Sequence, residues 1–181
     1  MQGKKYIGLV ALALSTLIAC NSNNQTTETK DTTAVKSTDT AILNELSFKD
    51  EQLTSIYDSY IKLKDQLVET KHEDAKLAAS ELATVLKGFE GCENAATIAS
   101  KISEVKDIKA QRAAFTDLNV ELIPVFKHTA LTAGTIYVQH CPMANNGDGG
   151  DWLSSEKKIQ NPYYGDEMME CGRVAEEIKA K

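Results

Sequence analysis

The chain has 181 residues, with 42% hydrophobic and 25% charged side chains, which is ordinary material for a single globular domain. A formal net charge of −6 argues against nucleic acid as a partner, because that role needs a basic patch to neutralise phosphates. Four Cys is a modest number, and the compartment decides what they mean.

The N-terminus reads as an export leader. Lys4 and Lys5 form a short positive region, and residues 6–14 are an apolar run too short to span a bilayer. Leu17-Ile18-Ala19-Cys20 follows, and it resembles the lipobox of bacterial lipoproteins. The resemblance implies a signal peptide over 1–19 and acylation of Cys20, with several acyl chains anchoring the chain to a membrane. An ordinary cleaved leader with an incidental Cys20 is the alternative. Residues 21–40 are Asn, Thr, Ser, Lys and Asp with only Ala34 and Val35 apolar. Such a segment buries too little surface to offset its ordering entropy, so 20–45 is expected to be a tether and 46–181 the folded domain.

Four helical patterns come next. Ser47 is the expected N-cap of the first, with Asp50 three residues on. Leu53, Ile56, Tyr57, Tyr60, Leu63, Lys64 and Leu67 then recur at helical spacing. Ala75, Ala78, Ala79, Leu82, Leu86 and Phe89 form a second face that ends near Gly88 and Gly91. Ala95, Ile98, Ala99, Ile102 and Val105 form a third. Ile108, Phe115, Leu118, Leu122 and Phe126 mark a fourth helix over about 107–131, kinked or locally broken at Pro124 and ended by Gly134. The expectation is a mainly α fold, an antiparallel four-helix bundle. His72 is expected in the first interhelical loop and His128 on a solvent face. Cys92 is free, buried or a partner for another Cys. No Glu-x-x-His pair of the di-iron type occurs on these faces.

The chemistry concentrates in 137–172. Thr135-Ile136-Tyr137-Val138-Gln139 reads as a short extended segment leading into His140-Cys141-Pro142-Met143. Residues 145–151 form a Gly- and Asp-rich loop, but Asp148 and Asp151 do not match the spacing of a calcium loop. Asn161-Pro162-Tyr163-Tyr164-Gly165 is a turn. A short terminal helix is expected from Gly165 or Asp166, with Met168 and Cys171 on one face and Met169 pointing away. Cys141, Cys171, Met143, Met168, Met169 and His140 make a soft-donor set, and thiolate and thioether favour Cu(I) over Mg²⁺ or Ca²⁺. In an oxidising envelope Cys141 and Cys171 have an equally plain use as a disulfide closing a loop of about 30 residues.

These residues carry a resemblance. Tyr137 to Ala144, Trp152-Leu153-Ser154, the Asn161 to Gly165 turn, Met168 and Cys171-Gly172 resemble the family catalogued as domain of unknown function 3347. The Tyr60-Leu63-Lys64-Leu67 and Lys106 to Phe115 segments are similar to its helices. The resemblance spans about 46–174. It implies an exported bacterial domain associated with adaptors of heavy-metal efflux pumps. The Cys-Pro-Met and Met-x-x-Cys-Gly elements are also similar to the Cys-Pro-Met and Cys-Gly-Met pieces of small heavy-metal-binding domains, although here Met precedes Cys-Gly.

The resulting expectation is an envelope lipoprotein, lipid-anchored and facing the periplasm or cell surface, that binds, buffers or passes on copper. Its metal ligands would be Cys141, Met143, Met168 and Cys171, with His140 as an optional nitrogen donor, and its partners would be the membrane and efflux components. The alternative is a structural or interaction module in which Cys141 and Cys171 form a disulfide. No enzyme is expected: the G-x-S-x-G elbow, the P-loop, the Rossmann fingerprint and the HExxH motif are all missing. A Cys141 nucleophile with His140 as its base is poorly placed, because neighbours on a strand point to opposite faces.

Overall fold

The computed structural model describes residues 46–180. The leader, Cys20 and the tether lie outside the described residues. Those described form a mainly helical fold of four helices and two small antiparallel sheets.

Helix α1 is Glu51–Val68, and its N-cap is Asp50, whose side chain accepts from the Gln52 N–H at 3.0 Å. The expected cap, Ser47, instead lies in strand β1, Ser47–Phe48. This strand pairs with β2, Leu131–Ala133, so Ser47 is committed to a ladder and the carboxylate that follows takes the cap. α2 is His72–Leu86 and α3 is Glu93–Glu104. His72 opens α2 and is not in a loop. α4 is Ile108–His128, capped by Asp107 accepting from the Ala110 N–H at 2.8 Å, with Pro124 inside it. It ends three residues before Leu131 because β2 needs that segment extended. His128 is exposed, as its wheel position predicts.

Successive helices pack on one another, and α4 also packs on α1 and on the sheet. The apolar spacing read from sequence is the buried face: Leu53, Ile56, Tyr57, Tyr60, Leu63 and Leu67 of α1 are all buried. Ala75, Ala78 and Ala79 of α2 meet Ala95, Ala96 and Ala99 of α3 in the same core, where small side chains let helix axes approach closely. Phe48, Tyr57 and Phe126 form an aromatic cluster, with the Tyr57 and Phe126 rings edge-to-face at 5.3 Å. This cluster fastens β1 and β2 to the ends of α1 and α4.

Strand β3, Thr135–Cys141, is the centre of the second sheet, in the order β4-β3-β5. β4 is Gly150–Ser154 and β5 is Arg173–Lys179, both antiparallel to β3. The expected terminal helix is therefore absent. Residues 165–167 make one 3₁₀ turn, and the chain then becomes a strand. The Ala-Glu-Glu-Ile-Lys run of β5 has good helix formers, but an unpaired edge of β3 takes its backbone bonds, and tertiary pairing overrides propensity. Met168 and Cys171 consequently lie in a turn, not on a helical face, with the Cys171 N–H donating to the Met168 carbonyl at 3.1 Å. Among the described residues no helix is long and apolar enough to cross a membrane.

Candidate functional site: a thiol pair at the end of the central strand

Cys141 is the last residue of β3, placed by its pairing with Gly150 of β4. It is fully buried. Side chains alternate along a strand, so Cys141 shares a face with Gln139 and, across the ladder, with Trp152. The segment 155–172 folds back over this face. Gln139 Nε2 donates to the Glu156 carbonyl at 2.8 Å and to that of Lys158 at 3.1 Å. Gly172 closes the fold-back. Its φ is 147°, and a Cβ there would stand 2.9 Å from the His140 carbonyl and 3.0 Å from the Trp152 ring. Only glycine admits that approach.

This return brings the half-buried Cys171 to Cys141, with the two Sγ atoms 3.0 Å apart and no bond between them. The hydrogen bond between the sulfurs is the largest influence on Cys171, and with partial burial it raises the thiol pKa above its ordinary value. A shared proton is easier to keep than two adjacent thiolates are to form.

The other expected donors are placed differently. His140 has the opposite parity on β3, as strand geometry predicts, and its ring enters a cleft of about 320 Å³ between α4 and the β3–β4 hairpin. There its Nδ1 is 2.8 Å from Asp151 Oδ1. Met143 lies two residues past Cys141 and is half exposed, and its carbonyl accepts from the Tyr164 hydroxyl. Met168 is in the Cys171 turn and partly buried. Met169 lines a separate cleft with Ile61 and Val68 of α1. Thus Cys141 and Cys171 meet, Met168 is adjacent through the turn, and His140 turns away. Among the described residues no cluster of three or more His, Cys, Asp or Glu side chains is placed to share one metal ion. Cys92 is buried at the start of α3, where burial raises its thiol pKa, and it has no sulfur partner among the described residues.

Two residues outside the expected set hold the turn. Asn161 is fully buried, and its Nδ2 donates to the Cys171 carbonyl at 2.8 Å. Arg112 of α4 donates to the carbonyls of Pro162 at 2.8 Å and Leu67 at 2.9 Å, and to Thr70 Oγ1 at 3.0 Å. Its guanidinium is part-buried, and desolvation lowers its pKa, with Glu167 and Asp166 acting against that shift. In the sequence Asn161 announces only a local turn and Arg112 only a helix position, because the partners that matter here, Cys171 and Pro162, lie 10 and 50 positions away.

Residues 56–134 match the family described as "Protein of unknown function (DUF3347)". That is the family which the residues resemble. The matched stretch runs from within α1 to just past β2, so it covers the helical scaffold and stops short of Cys141. The DUF3347 description assigns no chemistry, and the match says nothing of the thiol pair. No curated protein and no solved structure matches the chain.

Proposed function

We propose that this DUF3347 chain is an envelope lipoprotein, anchored through Cys20, whose Cys141 and Cys171 thiols bind a soft monovalent cation, Cu(I), in a binding, buffering or efflux-accessory role. An antiparallel four-helix bundle would be its platform, with efflux components as partners. The observation that carries the reading is the approach of two thiols, 30 residues apart in sequence, to 3.0 Å at the rim of the sheet. Two thiolates match the preference of Cu(I) for soft donors. Met168 lies in the same turn and Met143 two residues beyond Cys141, so both thioethers belong to the proposed set. The His140 ring, engaged by Asp151 on the other face of β3, does not. Two sulfurs sharing one ion at bond lengths of about 2.3 Å stand roughly 4–4.6 Å apart, so the Cys171 turn must move outward by somewhat over 1 Å. Nothing in this role transforms a substrate.

The second reading is a disulfide staple. The same separation and the burial of Cys141 favour it, since closure to about 2.05 Å needs an inward shift of about 1 Å. A loop of this length would add about 3–4 kcal/mol. The two readings are compatible if the disulfide is the oxidised form of the site.

Reduced protein titrated anaerobically with Cu(I) against a chromophoric chelator separates them. The metal reading expects one equivalent bound, and at least a hundredfold weaker binding in Cys141→Ala. No uptake, together with a quantitative disulfide in protein taken from the envelope, leaves only the staple.

A further inference from the structure

We infer that Asn161 is the positioning residue of the thiol pair and sets the distance between Cys141 and Cys171; this rests on the reading of that pair as a functional unit. Cys141 is held by the β3–β4 ladder. Cys171 is not held by a ladder, because β3–β5 pairing begins only at His140 with Arg173. Its place depends on the turn before it, and that turn is organised on one buried side chain.

Asn161 uses both ends of its amide. Nδ2 donates to the Cys171 carbonyl at 2.8 Å. Oδ1 accepts from the backbone N–H of Tyr163 at 2.8 Å and of Tyr164 at 3.3 Å. Its own backbone N–H donates to the Met169 carbonyl at 2.9 Å, and its carbonyl accepts from the Gly165 N–H at 2.9 Å. The start and the end of the 161–171 loop are therefore joined through one residue. Arg112 ties the same turn to α4 and to the end of α1 through the Pro162 and Leu67 carbonyls. Two backbone bonds reach the thiol-bearing residue itself: its N–H donates to the Met168 carbonyl at 3.1 Å within the turn, and its carbonyl accepts from Nδ2, which ties it to the start of the loop. An Asp in this place keeps the acceptor for Tyr163 and Tyr164 but sets a second acceptor against the Cys171 carbonyl, which drives Cys171 away from Cys141.

The test is the thiol–disulfide equilibrium of the pair in glutathione buffers. Each oxidised glutathione takes two electrons and two protons from the dithiol, leaving one protein disulfide and two reduced glutathiones. Asn161→Asp is expected to lower the equilibrium constant for closure at least tenfold and to speed alkylation of Cys171 by iodoacetamide, with Cys92 labelling unchanged. A purely structural Asn161 would lower the melting temperature and leave both readouts where they are. A folded Asn161→Asp protein with wild-type closure overturns the inference. If Asn161→Asp does not fold, Asn161→Ser, which keeps a short acceptor for the Tyr163 N–H but has no amide to reach the Cys171 carbonyl, is expected to lower closure at least threefold, and no change in it overturns the inference. A wild-type pair that neither closes nor takes up Cu(I) removes the reading of the pair and this inference together. Normal closure in wild type and in the folded variants removes this inference alone.

Discussion

Tyr60 of α1 donates its hydroxyl hydrogen to Asn119 Oδ1 of α4 at 2.6 Å and accepts from the Leu153 N–H of β4 at 2.9 Å. One fully buried hydroxyl thus joins two helices to the sheet that carries the thiols. Tyr60→Phe keeps the ring stacked on Phe115 and leaves an acceptor and a donor unpaired in the core. The expected cost is about 2–4 kcal/mol, read as a lower urea midpoint at unchanged m-value.

Alkaline pH attacks the same junction. Burial, the largest cause in each case, raises the pKa of Tyr57, Tyr60 and Tyr163 well above the ordinary phenol value. A folded pKa above the unfolded one means that the folded state holds the proton longer. Stability is therefore full below about pH 10 and falls as pH rises beyond it, by up to about 1.4 kcal/mol per pH unit for each tyrosine. Absorbance at 295 nm and melting temperature followed together should show these three tyrosines ionising only as the chain unfolds. Ionisation with the fold intact would contradict this.

Two glycines with positive φ should respond differently to alanine. At Gly165, φ is 57° and a Cβ would stand 2.5 Å from Thr70 Oγ1 and 2.8 Å from the Val68 carbonyl. Gly165→Ala is expected to cost roughly 2–4 kcal/mol, from strain and clash together. At Gly147, φ is 101° with nothing within 4 Å of the added atom, so Gly147→Ala should cost roughly 1–2 kcal/mol from backbone strain alone. Thermal denaturation of the two variants side by side checks the order.

Cu(I) binding by the pair should strengthen with pH. The hydrogen bond to Cys141 holds the Cys171 proton above its ordinary range, and a thiol must lose that proton to become a ligand. Apparent affinity is expected to rise by up to about tenfold per pH unit for each proton released, between pH 6 and 8. His140→Gln should leave both the affinity and its pH dependence within about threefold of wild type. A hundredfold loss in that variant would place the ring back among the ligands.

The helical part of the fold was legible because its core faces repeat at helical spacing. Leu53 through Leu67 and Phe115 through Phe126 can be read from residue types alone, and they are buried faces, with Ile108 partly buried at the start of α4. Legibility fails where a partner distant in sequence decides. Ser47 looks like a cap until β2 claims it, and the stretch from Gly165 through Cys171 looks like a short helix but makes one 3₁₀ turn before the chain pairs with β3. At the site, the two Cys and the alternation of β3 were readable, but the soft-donor set includes His140 as an optional donor although the strand turns its ring to Asp151. Asn161 was not readable, because Asn-Pro announces a turn and says nothing about a carbonyl ten residues later.

X-ray absorption at the copper edge, on reduced protein loaded with one equivalent of Cu(I), reads the ligands of the thiol pair most directly. Two thiolate ligands give a nearest shell of sulfur alone at about 2.3 Å, the length of a metal–thiolate bond, and that shell is lost in the variant lacking both Cys141 and Cys171. A shell of nitrogen or oxygen, or one that survives removal of both thiols, would contradict ligation by the pair.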